Sequence, residues 1–254
     1  LQQLHTALYR ANVGSDIVFP TTTGLSQYKL LVVPSLYSAD DALLQRLSDY
    51  VKNGGHVLMT FKSGFTNENS AVRWQKAPGP LTAAAGFTYQ EFSNLEKPLQ
   101  LKGDPFAVGE GNRVSEWAEF LQPTTAKPLA TYDHPFFGRW AAITENSYGK
   151  GGLVYEGTAL TPELQQAVVQ HALGSSGISF DAKASASSVR VKRGVSGDGR
   201  ELTYLLNYSS SPSSVSYTGR PAHDVLTGIA LATGQVVQLK PWDLVIAESE
   251  KAGK

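Results

Sequence analysis

The stretch from Leu30 to Phe61 constrains the fold of this chain more than any other. Leu30-Leu31-Val32-Val33-Pro34 is a continuous apolar run of strand length, the pattern of a parallel strand covered on both faces. Beyond it, Ser38 and Asp41 stand at capping-box spacing. Leu43, Leu44, Leu47, Tyr50 and Val51 then share one helical face until Gly54-Gly55 ends the helix. His56-Val57-Leu58-Met59-Thr60-Phe61 is a second buried run. Strand, helix and strand at this spacing predict a right-handed β-α-β crossover between two parallel strands.

The rest of the N-terminal half fits around that unit as an α/β fold, an open, doubly wound parallel sheet of flavodoxin-like type. A short helix is expected from about Leu4 to Asn12, and Asp16-Ile17-Val18-Phe19-Pro20 reads as a strand ended by proline. From about Lys62 to Ala130 the pattern is weak and broken by Pro78-Gly79-Pro80, Pro98, Pro105, Gly109 and Gly111. Trp140–Thr144 and Leu153–Glu156, joined through Tyr148-Gly149-Lys150-Gly151-Gly152, predict a hairpin. A helix follows, with Thr161 as cap, Pro162 at its first position, and its end at Gly174.

Gly174-Ser175-Ser176-Gly177 marks the expected boundary, because beyond it the period changes from helical to alternating. Val189 and Val191 alternate with Arg190 and Lys192; Leu202, Tyr204 and Leu206 alternate with Thr203, Leu205 and Asn207. The reading is therefore a domain at 1–174 followed by a small antiparallel β-sandwich of five or six strands at 178–254.

Composition removes several function classes. The 22 basic and 22 acidic side chains cancel, so no summed field attracts nucleic acid or an anionic membrane surface. No run approaches the roughly 18 apolar residues that a spanning helix needs. The absence of cysteine excludes disulfides, thiolate metal sites and a cysteine nucleophile. No cofactor is expected, and the compartment stays open with the cytoplasm favoured. Leu1 is not Met, and Leu4, Leu8 and Tyr9 already lie at helical spacing, as in a processed or excised piece.

Ligands of open α/β sheets gather at the carboxyl ends of the strands, which directs attention to Lys62-Ser63-Gly64-Phe65-Thr66-Asn67-Glu68-Asn69. Ser63 lacks the Gly-x-Ser-x-Gly frame of a serine elbow, so a polar loop contacting another domain or subunit is favoured over nucleophilic catalysis. Gly149-Lys150-Gly151-Gly152 lacks phosphate-loop spacing, and Gly109-Glu110-Gly111-Asn112 lacks the third glycine of a dinucleotide fingerprint. His5, His56, His134, His171 and His223 show no metal-ligand spacing. Tyr132, His134, Phe136, Phe137 and Trp140 could stack on a sugar but read better as packing. Asp40-Asp41 suit a helix start, and Glu116 with Glu119 fall in a poorly patterned segment, so neither carboxylate pair is assigned catalysis.

Several spaced motifs resemble the domain that follows the catalytic barrel in family 42 β-galactosidases. They are Tyr9–Asp16, Tyr28–Tyr37, the Gly-Gly-strand-Ser-Gly-x-x-Asn-Glu-Asn run from Asn53 to Asn69, Pro78–Leu81, Ala85–Phe87 and Ala141–Gly151. The tail, His223–Gly228 and Leu239–Ala247, is similar to the small C-terminal β domain of the same enzymes. The resemblance implies a flavodoxin-like trimerisation domain, akin to class I glutamine amidotransferases without their cysteine. It also implies a homotrimer in the intact enzyme, with galactoside bound only through a barrel that this chain does not contain. A barrel of about 250 residues leaves no room beside the two domains counted here, so the chain alone is expected to be inactive. Under this reading Lys62, Ser63, Phe65, Asn67, Glu68, Asn69 and Trp74 are the interface or ligand candidates. A standalone carbohydrate-binding or sensing module of the same fold is the alternative.

Overall fold

In the computed structural model, which describes residues 1–180 and 187–249, the run at 30–33 forms one edge of a five-stranded sheet. Two compact units divide the chain: residues 1–7 with 16–179, and residues 8–15 with 180–254. Positions 181–186 and 250–254 of the expected 178–254 domain lie outside the described residues.

The elements up to residue 175 are α1 (Gln2–Arg10), β1 (Leu30–Val33), α2 (Asp41–Lys52), β2 (His56–Thr60), α3 (Thr82–Ala85), β3 (Phe87–Thr88) and β4 (Phe92–Gln100), followed by β5 (Arg113–Glu119), β6 (Gln122–Pro123), β7 (Lys127–Thr131), β8 (Ala141–Tyr148), β9 (Gly151–Glu156), β10 (Thr158–Leu160) and α4 (Pro162–Ser175). The main sheet has the order β1-β2-β9-β8-β7. β1, β2 and β9 are parallel, as the crossover requires. The sheet is nonetheless mixed rather than parallel throughout, because β8 and β7 run antiparallel to their neighbours. The two-residue link Gly149-Lys150 is the reason: a tight turn joins only antiparallel strands, and Gly149 takes the positive φ of 61° that the turn demands.

Leu44, Leu47, Tyr50 and Val51 of α2 pack with Val57, Met59, Leu153 and Tyr155 on one face of this sheet. Leu58, which alternates with Val57 and Met59, is buried at the other face, and α4 packs on β2. The cap of α2 differs from expectation: Asp40 is the N-cap, its carboxylate accepting from the Leu43 N–H at 2.7 Å. Ser38 instead donates to the Asn67 carbonyl at 2.6 Å. Thr161 does precede α4, but its hydroxyl donates to the Gly111 carbonyl rather than capping the helix, which runs one residue past Gly174.

The expected strand at 16–20 is absent. Ile17 and Phe19 are 74% and 68% exposed, and strand propensity without a partner edge leaves the backbone irregular. The weakly patterned stretch 62–130 instead supplies β4 and β5, which β10 joins in a three-stranded antiparallel sheet, and the short pair β3-β6.

From residue 189 onward the described part of the second unit is β structure, paired antiparallel. Its strands are β11 (Val189–Val195), β12 (Glu201–Asn207), β13 (Ser213–Ser216), β14 (Ala222–Asp224), β15 (Ala230–Leu231), β16 (Val236–Leu239) and β17 (Leu244–Ser249). Five form the sheet β11-β12-β17-β14-β15, and β13 pairs with β16. Val189, Leu205, Tyr217, Leu231, Val237, Leu239 and Ala247 make its core. On β12 the more buried face carries Thr203, Leu205 and Asn207. Asn207 is admitted there because its amide donates to the Ser211 and Lys240 carbonyls, both at 2.8 Å.

Candidate functional site

The chain leaves β2 through a sharp elbow. Lys62, two residues past the strand, has φ +62°, a left-handed conformation that few non-glycine residues adopt. Beyond the elbow the loop doubles back on itself: Asn67 N–H donates to the Ala71 carbonyl at 2.9 Å, and Thr66 pairs with Val72 as an antiparallel bridge. The Asn67 side chain closes the tip, its Oδ1 accepting from the N–H groups of Asn69 and Ala71 at 3.0 Å each.

The candidate residues divide into interior and exterior sets. Ser63 is fully buried; its hydroxyl donates to the Thr60 carbonyl at 2.7 Å and accepts from the Leu36 N–H at 3.0 Å. Such a hydroxyl is a structural tie between β2 and the segment after β1. Phe65 is half-buried, stacked on Tyr37 with ring centroids 5.5 Å apart and edge-on to Phe92 at 5.9 Å. Glu68 and Asn69 are exposed, and so is Val72. Trp74, just beyond the returning arm, is 91% exposed.

Beneath the elbow lies a carboxylate that patterning did not single out. Glu119, the last residue of β5, has no exposed surface. Its Oε1 accepts from the Lys62 N–H at 2.7 Å, the Tyr89 hydroxyl at 2.8 Å and the Trp117 indole N–H at 3.2 Å; its Oε2 accepts from the Tyr155 hydroxyl at 2.9 Å. Burial pushes this carboxyl up to about 7, against the opposing pull of those four donors. Burial, reinforced by the Glu119 charge, raises Tyr89 and Tyr155 well above the ordinary phenol range. The Lys62 ammonium sits 3.8 Å above the Trp117 ring, and Trp117 stacks on Phe92 at 4.2 Å. One local trace marks the site in the sequence: an acid stands inside the apolar run Trp117-Ala118-Glu119-Phe120-Leu121.

Other candidate chemistry disperses. Ser175 Oγ donates to Glu145 Oε1 at 2.8 Å, and His171 Nε2 lies 3.1 Å from the same oxygen, so serine and histidine share a carboxylate rather than forming a nucleophile–base pair. In the aromatic cluster Tyr132 is buried and Trp140 stacks on Phe120 at 4.5 Å, whereas Phe136 projects outward. Among the described residues no group of three His, Asp or Glu is placed to hold a metal ion, and no helix is long and apolar enough to cross a membrane.

A sequence profile of the β-galactosidase trimerisation domain matches residues 1–179. The chain belongs to that family. β-Galactosidase BgaA of Clostridium cellulovorans is 34% identical to it over 166 residues, 64% of this chain and 25% of that protein. LacA of Lactobacillus acidophilus is 29% identical over 238 residues, 94% of this chain and 34% of that protein. The trimerisation-domain chain thus spans about a quarter to a third of these curated relatives. Among solved structures, β-galactosidase from Bacillus circulans sp. alkalophilus superposes with a TM-score of 0.84 at 21% identity, over 98% of this chain and 37% of that one. An α-L-fucosidase from Paenibacillus thiaminolyticus superposes at 0.65 with 14% identity, over 98% and 45%. At such identities the likeness carries the fold of the trimerisation domain and its β companion.

Proposed function

We propose that this chain is the assembly region of a family 42 β-galactosidase, holding three subunits together and shaping the rim of a neighbouring active site while a barrel elsewhere in the enzyme hydrolyses galactosides. The observation that carries the reading is the exposure within the 62–74 segment: Trp74 is 91% exposed, and Val72, Glu68 and Asn69 are exposed as well. A large aromatic ring with so much surface in water is the residue type that anchors interfaces, and the polar residues of the loop tip are the type that forms a rim. Lys62, Ser63, Phe65 and Asn67 act by shaping the segment.

The finer fold reading, a flavodoxin-like sheet akin to class I amidotransferases, is supported by the parallel β1-β2-β9 core and by the elbow at Lys62. That elbow lies just after β2, where such an enzyme carries its nucleophile, and a lysine occupies it. We also infer that residues 1–174 and 178–254 are the two domains of the chain. Sedimentation velocity over a concentration series tests the assembly reading. Association to a trimer is expected for the wild-type chain, with Glu68→Ala combined with Trp74→Ala shifting it toward monomer. A wild-type chain that stays monomeric, or a trimer unmoved by the double substitution, overturns it.

A further inference from the structure

The Glu119 site has the form of a latch. Four neutral donors reach its carboxylate from four parts of the first unit: the elbow after β2, Tyr89 after β3, Trp117 within β5, and Tyr155 in β9. The Lys62 N–H that Glu119 holds belongs to the residue whose left-handed backbone turns the chain into the loop. A non-glycine residue in that region carries strain unless its surroundings over-determine it. An ionised carboxylate does so more strongly than a neutral acid, because a hydrogen bond to a charged acceptor is roughly twice as strong.

We propose that the ionised Glu119 carboxylate is the positioning residue of the 62–74 segment, and that protonating it loosens the elbow and weakens the contact that the segment makes with a second copy of the chain. The assembly half rests on the function proposed above; the latch half does not. The groups facing the carboxylate are all accounted for. Tyr89 and Tyr155 donate to it, and Tyr132, near the end of β7, donates its hydroxyl to Glu119's own carbonyl at 3.0 Å. The Lys62 ammonium lies over the Trp117 ring. The tyrosines stay neutral through the working range, since burial raises each of them. The carboxyl is therefore the group in this cluster that changes charge near neutrality, with its midpoint pushed up to about 7.

Two signals read the latch directly: the carboxyl carbon shift of Glu119 by NMR and the exchange protection of the Lys62 amide, both followed from acid to alkaline pH. Protection of Lys62, corrected for intrinsic exchange, is expected to fall about tenfold as the carboxyl protonates, with one shared midpoint. Glu119→Gln keeps an acceptor oxygen but cannot ionise, so its Lys62 protection should stay flat with pH and near the acid value. Protection that is flat in the wild type while the carboxyl titrates overturns the latch, and this wild-type series decides even if the variant fails to fold. The assembly half is read by sedimentation: the trimer should weaken about tenfold toward acid in the wild type and show no such step in Glu119→Gln. The same step in both proteins overturns the coupling. A chain that never associates but passes the amide test removes the assembly reading and leaves the latch standing.

Discussion

Glu156 offers a test of what a dry carboxyl does to this fold. It ends β9, in register with Thr60 of β2 and Ile143 of β8, and it is fully enclosed. Among the described residues one side-chain donor reaches it, the Gln165 amide at 2.6 Å from Oε1. Burial pushes its carboxyl from 4.5 to about 8, only partly opposed by that amide. Because the folded value lies above the unfolded one, the folded chain holds the extra proton between them, and stability falls as pH rises through that interval. The slope is roughly 1.4 kcal/mol per pH unit, amounting to about 4–5 kcal/mol in all. Glu156→Gln replaces the neutral acid with an amide of the same shape that never ionises. Urea unfolding at a series of pH values and fixed ionic strength should show the variant and the wild type running parallel below about pH 4.5. From there the variant should gain steadily until about pH 8 and then hold its lead. The titration of Glu119 is common to both proteins and cancels. A difference between them that stays constant from pH 5 to pH 8 refutes the reasoning, because Glu156 would then ionise as if in water.

Ser63→Ala should cost about 1–3 kcal/mol by urea unfolding, since it leaves the half-buried Leu36 N–H without its acceptor and the buried Thr60 carbonyl without a donor; unchanged stability would remove the hydroxyl's role as a tie. Gly151→Ala puts a Cβ against the carbonyl oxygens of Gly55 and Val51, both backbone, so a loss of about 3 kcal/mol or more is expected. A wild-type unfolding midpoint for that variant would contradict the packing described between the start of β9 and the end of α2. Trp74→Ala alone should leave stability within about 0.5 kcal/mol, because the ring is exposed. The same change should weaken self-association at least tenfold in sedimentation equilibrium if the ring anchors the interface.

The parts of this fold that were legible in the sequence are those whose pattern is local. β1, α2 and β2 announce themselves because each buries a face with its own period, and the C-terminal strands because they alternate. β4 escaped for the opposite reason: most of Phe92–Gln100 is exposed, Pro98 interrupts it, and a strand with both faces wet has no alternation to read. The loop at 62–69 could be located by the rule that sites follow strand ends, but not resolved into inner and outer residues. Loops have no period, so nothing local distinguished buried Ser63 from exposed Glu68.

Glu119 was beyond reach for a related reason. Its meaning comes from residues 62, 89, 117 and 155, which only the tertiary fold brings onto one carboxylate. That convergence also explains how a lysine can occupy a sharp elbow. Left-handed backbone at a non-glycine residue costs of order 1–3 kcal/mol. A hydrogen bond to a charged group contributes about 1.5–3 kcal/mol, so the single contact from the Lys62 N–H to Glu119 is large enough to hold the elbow. The shape of the turn therefore rests on the buried acid below it.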